Sequence, residues 1–207
     1  MRKWKLLLVL VPLLVFADQV TKFMAVDRLT TAFEDAGAVT LGERVSAYFT
    51  LRHLEHQATA PYVVYGPLWR MHYVENPGAA WGILRGASEG VRNALFGAVS
   101  VAAIAFILAY YRRVGERQLW LRLALAFVLA GAIGNAIDRA ARSYVVDFIA
   151  WHWWNRPDLQ WPTFNIADSL IVVGVAMLIL HPGPAREPAS RPPDARRRGN
   201  GEAPSRI

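Results

Sequence analysis

The stretch LWLRLALAFVLAGAIGNAI, Leu119–Ile137, decides the fold of this chain. Its nineteen residues include one charged side chain, Arg122. A helix needs about 20 mostly apolar residues to cross the hydrocarbon core of a bilayer, because each residue advances the helix by about 1.5 Å. The stretch therefore predicts a transmembrane helix.

Three further apolar runs of comparable length extend this prediction to an all-α membrane protein with four transmembrane helices. The chain of 207 residues is 54% hydrophobic and has no cysteine, which excludes disulfides and thiolate catalysis. The other three runs are Trp4–Val26, Val91–Tyr111 and Phe164–Leu180. The N-terminal run also fits a signal peptide, but Asp18-Gln19 stands where small residues should mark a cleavage site, which favours a retained helix.

The net charge of +7 is concentrated at one set of helix ends. Basic residues precede the first run, cluster at 112–122 and follow the fourth run. Such residues mark the cytoplasmic side of membrane helices, so both termini and the 112–118 turn are expected in the cytoplasm. The alternative, nucleic-acid binding through the C-terminal arginines, lacks an aromatic or folded basic motif, and we expect no nucleic-acid partner.

This topology divides the chain into a membrane domain, which includes two segments outside the membrane, and a C-terminal tail. Residues 1–181 should form the membrane domain, within which 27–90 is an extracytoplasmic β-rich insertion and 138–163 an extracytoplasmic interfacial loop. The composition of residues 182–207, rich in Pro and Arg, predicts a disordered cytoplasmic tail.

Local patterns predict a small extracytoplasmic β-sheet. Tyr48–Leu54 and Arg70–Val74 alternate or are rich in β-branched and aromatic residues, which is typical of strands. In the second outer segment, four tryptophans indicate a position at the lipid headgroups, because indole rings prefer that level. They are Trp151, Trp153, Trp154 and Trp161.

Two aspartates stand at the margins of apolar runs. Asp147 lies in YVVDFI and Asp168 in FNIADSLI. Ionisable groups at membrane depth are functional candidates, and two carboxylates that converge can share a proton and activate water. A structural alternative exists for Asp168, because helix N-termini favour acidic side chains. That alternative does not explain Asp147.

Other polar residues lie in apolar surroundings. Asp18 and Lys22 are four residues apart on one helix face, which predicts a structural pair with Lys22 reaching towards the membrane interface. Asn76 and Gly78 belong to a turn followed by the small residues 79 and 80.

The end of the third predicted helix combines small and polar residues. Gly131, Gly134 and Asn135 suit close helix packing with an interhelical hydrogen bond. Asp138 and Arg139 could cap the helix, pair with each other or pair with a neighbouring helix. We expect a structural role for Asp138.

Five short blocks are specific in combination. They are DQVTK at 18–22, NPGAAWG at 76–82, GNAIDR at 134–139, VVDF at 145–148 and FNIADS at 164–169. In this order, on four predicted helices, they closely resemble the bacterial lipoprotein signal peptidases (signal peptidase II). The resemblance covers roughly residues 4–181 and excludes much of 30–70, where the outer segment looks longer than the family usually carries.

The resemblance implies an integral-membrane aspartic peptidase of the bacterial inner membrane, with its site towards the extracytoplasmic face. It implies cleavage of prolipoproteins just before a cysteine that carries diacylglycerol, with membrane lipid as a further partner. The implied catalytic pair is Asp147 and Asp168. The implied supporting or substrate-binding residues are Asp18, Lys22, Asn76, Gly78, Asn135, Asp138, Arg139, Asn165 and Ala167. We expect a monomer without a cofactor, and without a metal because the five histidines lack a metal-binding spacing.

Two other functions compete at this point. A small transporter or proton-relay protein also uses intramembrane carboxylates, although it would place them near the middle of the bilayer. A non-enzymatic membrane scaffold would tolerate replacement of Asp147 by Asn.

Overall fold

The computed structural model describes residues 2–78, 87–154 and 156–180. Three of its helices are long and apolar enough to cross a membrane. In chain order the elements are α1 (Arg2–Leu29), α2 (Ala32–Asp35), α3 (Leu41–Thr50), β1 (Tyr62–Tyr65), β2 (Trp69–Asn76), α4 (Glu89–Arg113), α5 (Leu119–Arg142), β3 (Val145–Trp153), β4 (Arg156–Gln160) and α6 (Ile166–Ile179). The long helices are α1, α4 and α5.

The fourth apolar run forms a shorter helix than its composition predicts. α6 has 14 residues, about 21 Å at 1.5 Å per residue. It begins at Ile166 because the Asn165 side chain caps its first turn. Phe164, expected in the helix, instead pairs with Ile149 in an antiparallel bridge.

Apolar contacts and two capping hydrogen bonds join α1, α4 and α5 at one end of the helix bundle. Lys3 Nζ donates to the carbonyl oxygens of Arg112 (2.8 Å), in the last turn of α4, and of Val114 (3.1 Å), just after it. The Tyr111 hydroxyl donates to the carbonyl of Lys3 at 2.7 Å. We call this the apolar end, and its buried side chains include Leu7, Val11, Ile107, Leu125 and Leu129.

Glycines bring α5 and α6 close together, as the sequence predicts. A Cβ atom at Gly131 would lie 2.3 Å from the carbonyl oxygen of Ala167. At Gly134 it would lie 2.5 Å from Asp18 Oδ2. The expectation of close packing is confirmed, and it lets the first turn of α6 approach both α1 and α5.

A four-stranded antiparallel sheet of order β1-β2-β3-β4 lies over the other end of the helices. It uses both outer segments, so residues 138–163 include two strands rather than only an interfacial loop. β3 is buried from Val145 to Ala150. A strand covered on both faces lacks the alternation that identifies strands in a sequence.

One predicted strand is wrong and the other is confirmed. Arg70–Val74 lies within β2, whereas Tyr48–Thr50 forms the end of α3. α3 starts in a capping box: the Thr40 hydroxyl accepts from Glu43 N at 3.3 Å, and the Glu43 carboxylate accepts from Thr40 N at 2.8 Å. This start signal and the burial of Tyr48 outweigh the local strand propensity.

The four tryptophans of the second outer segment are largely exposed, at 55% to 72% of their side-chain area. Such exposure is compatible with the expected position at the headgroups. The expected disordered tail, residues 182–207, lies outside the described residues.

Candidate active site

Asp147 lies within β3 and is 1% exposed. Its two carboxylate oxygens accept from Asn76 Nδ2 at 2.9 Å and from Asn165 Nδ2 at 2.7 Å. Burial raises the pKa of Asp147 from 3.8 to about 7, and the charge of Asp168 adds to the rise, although both amide donors oppose it. Asp147 can therefore hold a proton near neutral pH.

Asp168 is the third residue of α6 and is half-buried. Its amide donates to Asn165 Oδ1 at 2.9 Å, and its Oδ2 accepts from Asn165 N at 3.2 Å. The structural alternative for Asp168 is thus correct in part, because the side chain does cap the helix. Its other oxygen accepts from Asn135 Nδ2 at 2.7 Å, which directs it towards α5.

Two asparagine side chains connect these carboxylates. Asn165 Nδ2 donates to Asp147 and also, at 3.2 Å, to Asn135 Oδ1. Asn135 Nδ2 in turn donates to Asp168. The two aspartates, 21 positions apart in sequence, therefore converge on one hydrogen-bond network where β3 meets α5 and α6.

Lys22 forms ion pairs with two further buried carboxylates next to this network. Its Nζ is 2.9 Å from Asp18 Oδ2, 2.9 Å from Asp138 Oδ2 and 3.0 Å from Asn135 Oδ1. The predicted pair with Asp18 is confirmed, but the expected extension of Lys22 to the interface is wrong, because its side chain is 0% exposed. Its ammonium has three N–H donors, and moving it to the interface would leave the buried Asp18 without a cation among the described residues and Asp138 with Arg142 alone.

The carboxylates around Lys22 also hold the segments that carry the two acids. Asp18 Oδ1 accepts from Ala167 N at 2.9 Å, in the first turn of α6. Asp138 Oδ2 accepts from Val146 N at 3.1 Å, one residue before Asp147. Each ion-pair partner of Lys22 therefore contacts the backbone beside one of the aspartates, which agrees with a structural role for Asp138.

Two residues at the edge of the site contact Phe96. The Arg139 guanidinium lies 5.3 Å from the Phe96 ring centroid, and its Nε has no hydrogen-bond partner among the described residues. Gly78 has φ +86°, and a Cβ there would lie 2.2 Å from the same ring. Asn76 Oδ1 accepts from Gly78 N at 2.9 Å, which fixes the turn. The small residues Ala79 and Ala80 lie outside the described residues.

The sequence analysis overlooked three residues that contact this network. Gln19 Nε2 donates to Asp138 Oδ1 at 3.2 Å, Arg142 NH1 contacts the same oxygen at 2.9 Å, and the Tyr48 hydroxyl donates to Gln19. A basic residue in the last turn of a helix is ordinarily explained by the helix dipole. The four-residue spacing of Asp138 and Arg142 was the available signal.

No group of three or more His, Asp or Glu side chains within residues 2–78, 87–154 and 156–180 is arranged to hold a metal ion. The functional groups that the site offers are four carboxylates, several amides, a buried ammonium and two guanidinium groups. Carboxylates of this kind can exchange protons with a water molecule.

Comparison with known proteins finds lipoprotein signal peptidases of similar sequence. The lipoprotein signal peptidase of Anaeromyxobacter sp. (strain Fw109-5) is 62% identical over 181 residues, which cover 87% of this chain and 86% of that protein. The lipoprotein signal peptidase of Symbiobacterium thermophilum is 36% identical over 174 residues, or 84% of this chain and 91% of that protein.

A similar fold occurs in a solved structure described as a bacterial membrane enzyme determined by the in meso method at 1.9 Å resolution. It matches with a TM-score of 0.58 and 25% sequence identity over 84% of this chain and 89% of that chain. A model of the family described as "Signal peptidase (SPase) II" matches residues 10–182. This chain belongs to the signal peptidase II family.

Proposed function

We propose that this protein is an aspartic endopeptidase that removes signal peptides from diacylglyceryl-modified prolipoproteins just before the lipidated cysteine. The observation that carries the proposal is the link between Asp147 and Asp168 through Asn165 and Asn135. The names of the relatives, which are lipoprotein signal peptidases, support the substrate class.

The reaction needs one proton on the aspartate pair. Two interacting carboxylates do not ionise together easily, so one is ionised and the other protonated. The ionised member takes a proton from water, while the protonated member keeps its proton and donates a hydrogen bond to the scissile carbonyl oxygen. The hydroxide forms a bond to the carbonyl carbon, and collapse of the tetrahedral intermediate breaks the C–N bond. The aspartate that received the proton from water returns it to the leaving amine. No covalent intermediate is required.

The raised pKa of Asp147 supports this scheme, because burial keeps one proton on the pair near neutral pH. The pair titrates as a unit, so the proton belongs to both groups rather than to a single side chain. The amides of Asn76 and Asn165 hold the Asp147 oxygens in place as its charge changes.

The proposed enzyme has four spans, α1, α4, α5 and α6, with both termini in the cytoplasm. Lys3, Arg112 and Arg113 lie together at the apolar end, which agrees with a cytoplasmic position for that end. The sheet and the exposed tryptophans then lie on the extracytoplasmic side. In this topology residues 1–181 form the peptidase domain and 182–207 the cytoplasmic tail.

Lipid supplies much of the proposed substrate affinity. The signal peptide would lie as a helix among the enzyme helices, while the diacylglyceryl chains stay in the bilayer. Each buried methylene adds about 0.8 kcal/mol to membrane binding, so a monomeric enzyme can recognise its substrate with few polar contacts. The Nε of Arg139 has no hydrogen-bond partner among the described residues but is buried, so a polar group of the substrate reaches it only after a local rearrangement.

The test is cleavage of a synthetic diacylated prolipoprotein peptide by purified wild type, Asp147→Asn and Asp168→Asn. We expect both variants to insert and fold but to cleave about 10²–10⁴-fold more slowly, since each lacks a proton-transfer group.

Asp27→Asn is the matched control, because Asp27, near the C-terminal end of α1, pairs with Arg44 at 2.7 Å and has no hydrogen bond to Asp147 or Asp168 among the described residues. Near-normal cleavage by either catalytic variant would refute the assignment. Ion flux through vesicles carrying the protein, without cleavage, would instead favour a proton-relay transporter.

A further inference from the structure

Tyr48, in the last turn of α3, is connected to Asp138 by two separate chains of hydrogen bonds. Its carbonyl oxygen accepts from Arg142 Nε at 3.1 Å, and NH1 of the same guanidinium is 2.9 Å from Asp138 Oδ1. Its hydroxyl donates to Gln19 Oε1 at 3.3 Å, and Gln19 Nε2 donates to the same carboxylate oxygen at 3.2 Å. A helix of the 27–90 insertion is therefore coupled to the membrane helix α5.

Arg142 is enclosed at this junction. Its side chain is 1% exposed, and its guanidinium carbon lies 3.9 Å from the Tyr48 ring centroid. Burial of a guanidinium is unfavourable unless it is paired. The carboxylate, the carbonyl and the aromatic face replace part of its lost hydration, while its NH2 nitrogen has no hydrogen-bond partner among the described residues. Burial raises the pKa of the Tyr48 phenol above its ordinary value, so its hydroxyl stays a neutral donor.

Asp138 connects Arg142 and Tyr48 to both catalytic candidates, Asp147 and Asp168, through its own contacts. Its Oδ2 accepts from Val146 N, next to Asp147, and contacts Lys22, which donates to Asn135 Oδ1. Asn135 donates to Asp168. With Oδ1 held by Arg142 and Gln19, the carboxylate of Asp138 has one orientation, and that orientation sets the positions of Val146 and Lys22.

We propose that Arg142 is a positioning residue for the peptidase reaction, and that Tyr48 makes the α3 helix of the insertion part of the active-site support. The inference rests on the proposed function. It assigns a role to an outer segment that looks unusually long for the family.

A second arginine link between α3 and a membrane helix provides the contrast. Arg44 NH1 is 2.7 Å from Asp27 Oδ1, but the two side chains are 36% and 24% exposed. Asp27 has no hydrogen bond to the Asp147–Asp168 network among the described residues. Both links join α3 to the bundle, but only the Arg142 link continues to the aspartates.

The experiment measures kcat, KM and the melting temperature of the full chain with the diacylated peptide. We expect Arg142→Gln to lower kcat about 10–100-fold with KM nearly unchanged, the range typical for partners that orient a catalytic ligand. Arg142→Lys, which keeps the charge but not the forked geometry, should recover part of that loss. Tyr48→Phe removes only the hydroxyl route and should lower kcat several-fold, about 3–5-fold.

Arg44→Gln is the matched control and should leave kcat at the wild-type value. Wild-type kcat in both Arg142→Gln and Tyr48→Phe would overturn the inference, as would a kcat loss in Arg44→Gln equal to that in Arg142→Gln. If Arg142→Gln does not fold, Arg142→Lys and Tyr48→Phe decide the question. Asp147→Asn in the same assay separates the two proposals. If it still cleaves, the peptidase assignment fails; if it is inactive while Arg142→Gln and Tyr48→Phe both keep the wild-type kcat, this inference alone fails.

Discussion

The same helices, α1 and α5, pack by different physics at their two ends. At the apolar end they contact each other through side chains such as Leu7, Val11 and Leu125. At the opposite end, which we call the polar end, they contact each other through Asp18, Lys22, Asn135 and Asp138, all buried. At the polar end α6 is hydrogen-bonded to α1 through Ala167 and to α5 through Asp168.

This difference separates what holds the helices together from what orients them. Apolar packing would be sufficient for stability, since replacing a buried ion pair with apolar residues is often neutral or stabilising. Buried charges, in contrast, are tolerated only when specific partners pair with them in a defined geometry. Their concentration beneath Asp147 and Asp168 indicates that geometry, rather than stability, explains the polar end.

The largest effect is expected when the central cation of the polar end is removed. Lys22→Met would leave the fully buried Asp18 without a cation among the described residues and Asp138 with Arg142 alone, and breaking a buried pair in this way costs about 3–5 kcal/mol. Thermal unfolding in one detergent measures the loss. Lys5→Met, an exposed lysine before the apolar end, should change the melting temperature little. Equal melting temperatures for the two variants would contradict the comparison.

A smaller effect is expected when the α5–α6 contact is widened. Gly131→Ala places a Cβ 2.3 Å from the Ala167 carbonyl oxygen, so α6 must shift and move Asp168. Such overpacking costs about 1–3 kcal/mol, and a misplacement near 1 Å can lower the rate about 100-fold.

Gly97→Ala in α4 is the control for that substitution. Among the described residues, a Cβ at Gly97 meets no heavy atom within 4 Å, so the variant should retain activity. Assays of cleavage and melting for both alanine variants test the point. An active Gly131→Ala enzyme would show that the close approach is not needed to place Asp168.

The smallest effect is expected from pH. The pKa of Asp147 is raised to about 7 by burial and by the charge of Asp168, so the pair loses its proton as pH rises through that value. Above it, kcat/KM should fall about tenfold per pH unit. Cleavage rates measured from about pH 5.5 to about pH 9, on both sides of that pKa, test this decline of kcat/KM. A flat profile across the range would exclude a proton on the pair as a requirement.

The same titration affects folding. The folded protein keeps a proton on Asp147 that the unfolded chain releases near 3.8. The stability from this group is therefore complete below about pH 4 and is lost as pH rises towards about 7. Asp147→Asn should have a shallower decline of melting temperature over that interval than the wild type, and identical declines would argue against the raised pKa.

How far the sequence predicts the fold depends on the kind of signal at each position. The apolar runs of α1, α4 and α5 are long enough to identify without structural information. The end of α3 was mistaken for a strand because Tyr48-Phe49-Thr50 has strand propensity, while the deciding Thr40–Glu43 capping box lies ten residues earlier. β3 was missed because burial on both faces removes the alternation of a half-exposed strand.

The site shows the same division. Asp147 and Asp168 could be singled out because carboxylates beside apolar runs are unfavourable without a function. The contact between Tyr48 and Arg142 could not, because the two residues lie 94 positions apart. The four-residue spacing of Asp138 and Arg142 allows a pair, but an arginine at a helix end also has a sufficient local explanation in the helix dipole, so the spacing alone does not indicate a buried contact.

The sequence by itself determined the membrane helices, the order of the five blocks and the identity of the two acidic residues, because these depend on local composition and spacing. Only the tertiary structure decided that Lys22 is buried with two carboxylates, that Asn165 and Asn135 connect the aspartates, and that α3 contacts this network. Those features depend on which distant side chains meet once the helices pack. The groups that pair with a buried charged side chain, rather than its neighbours in the sequence, set its orientation.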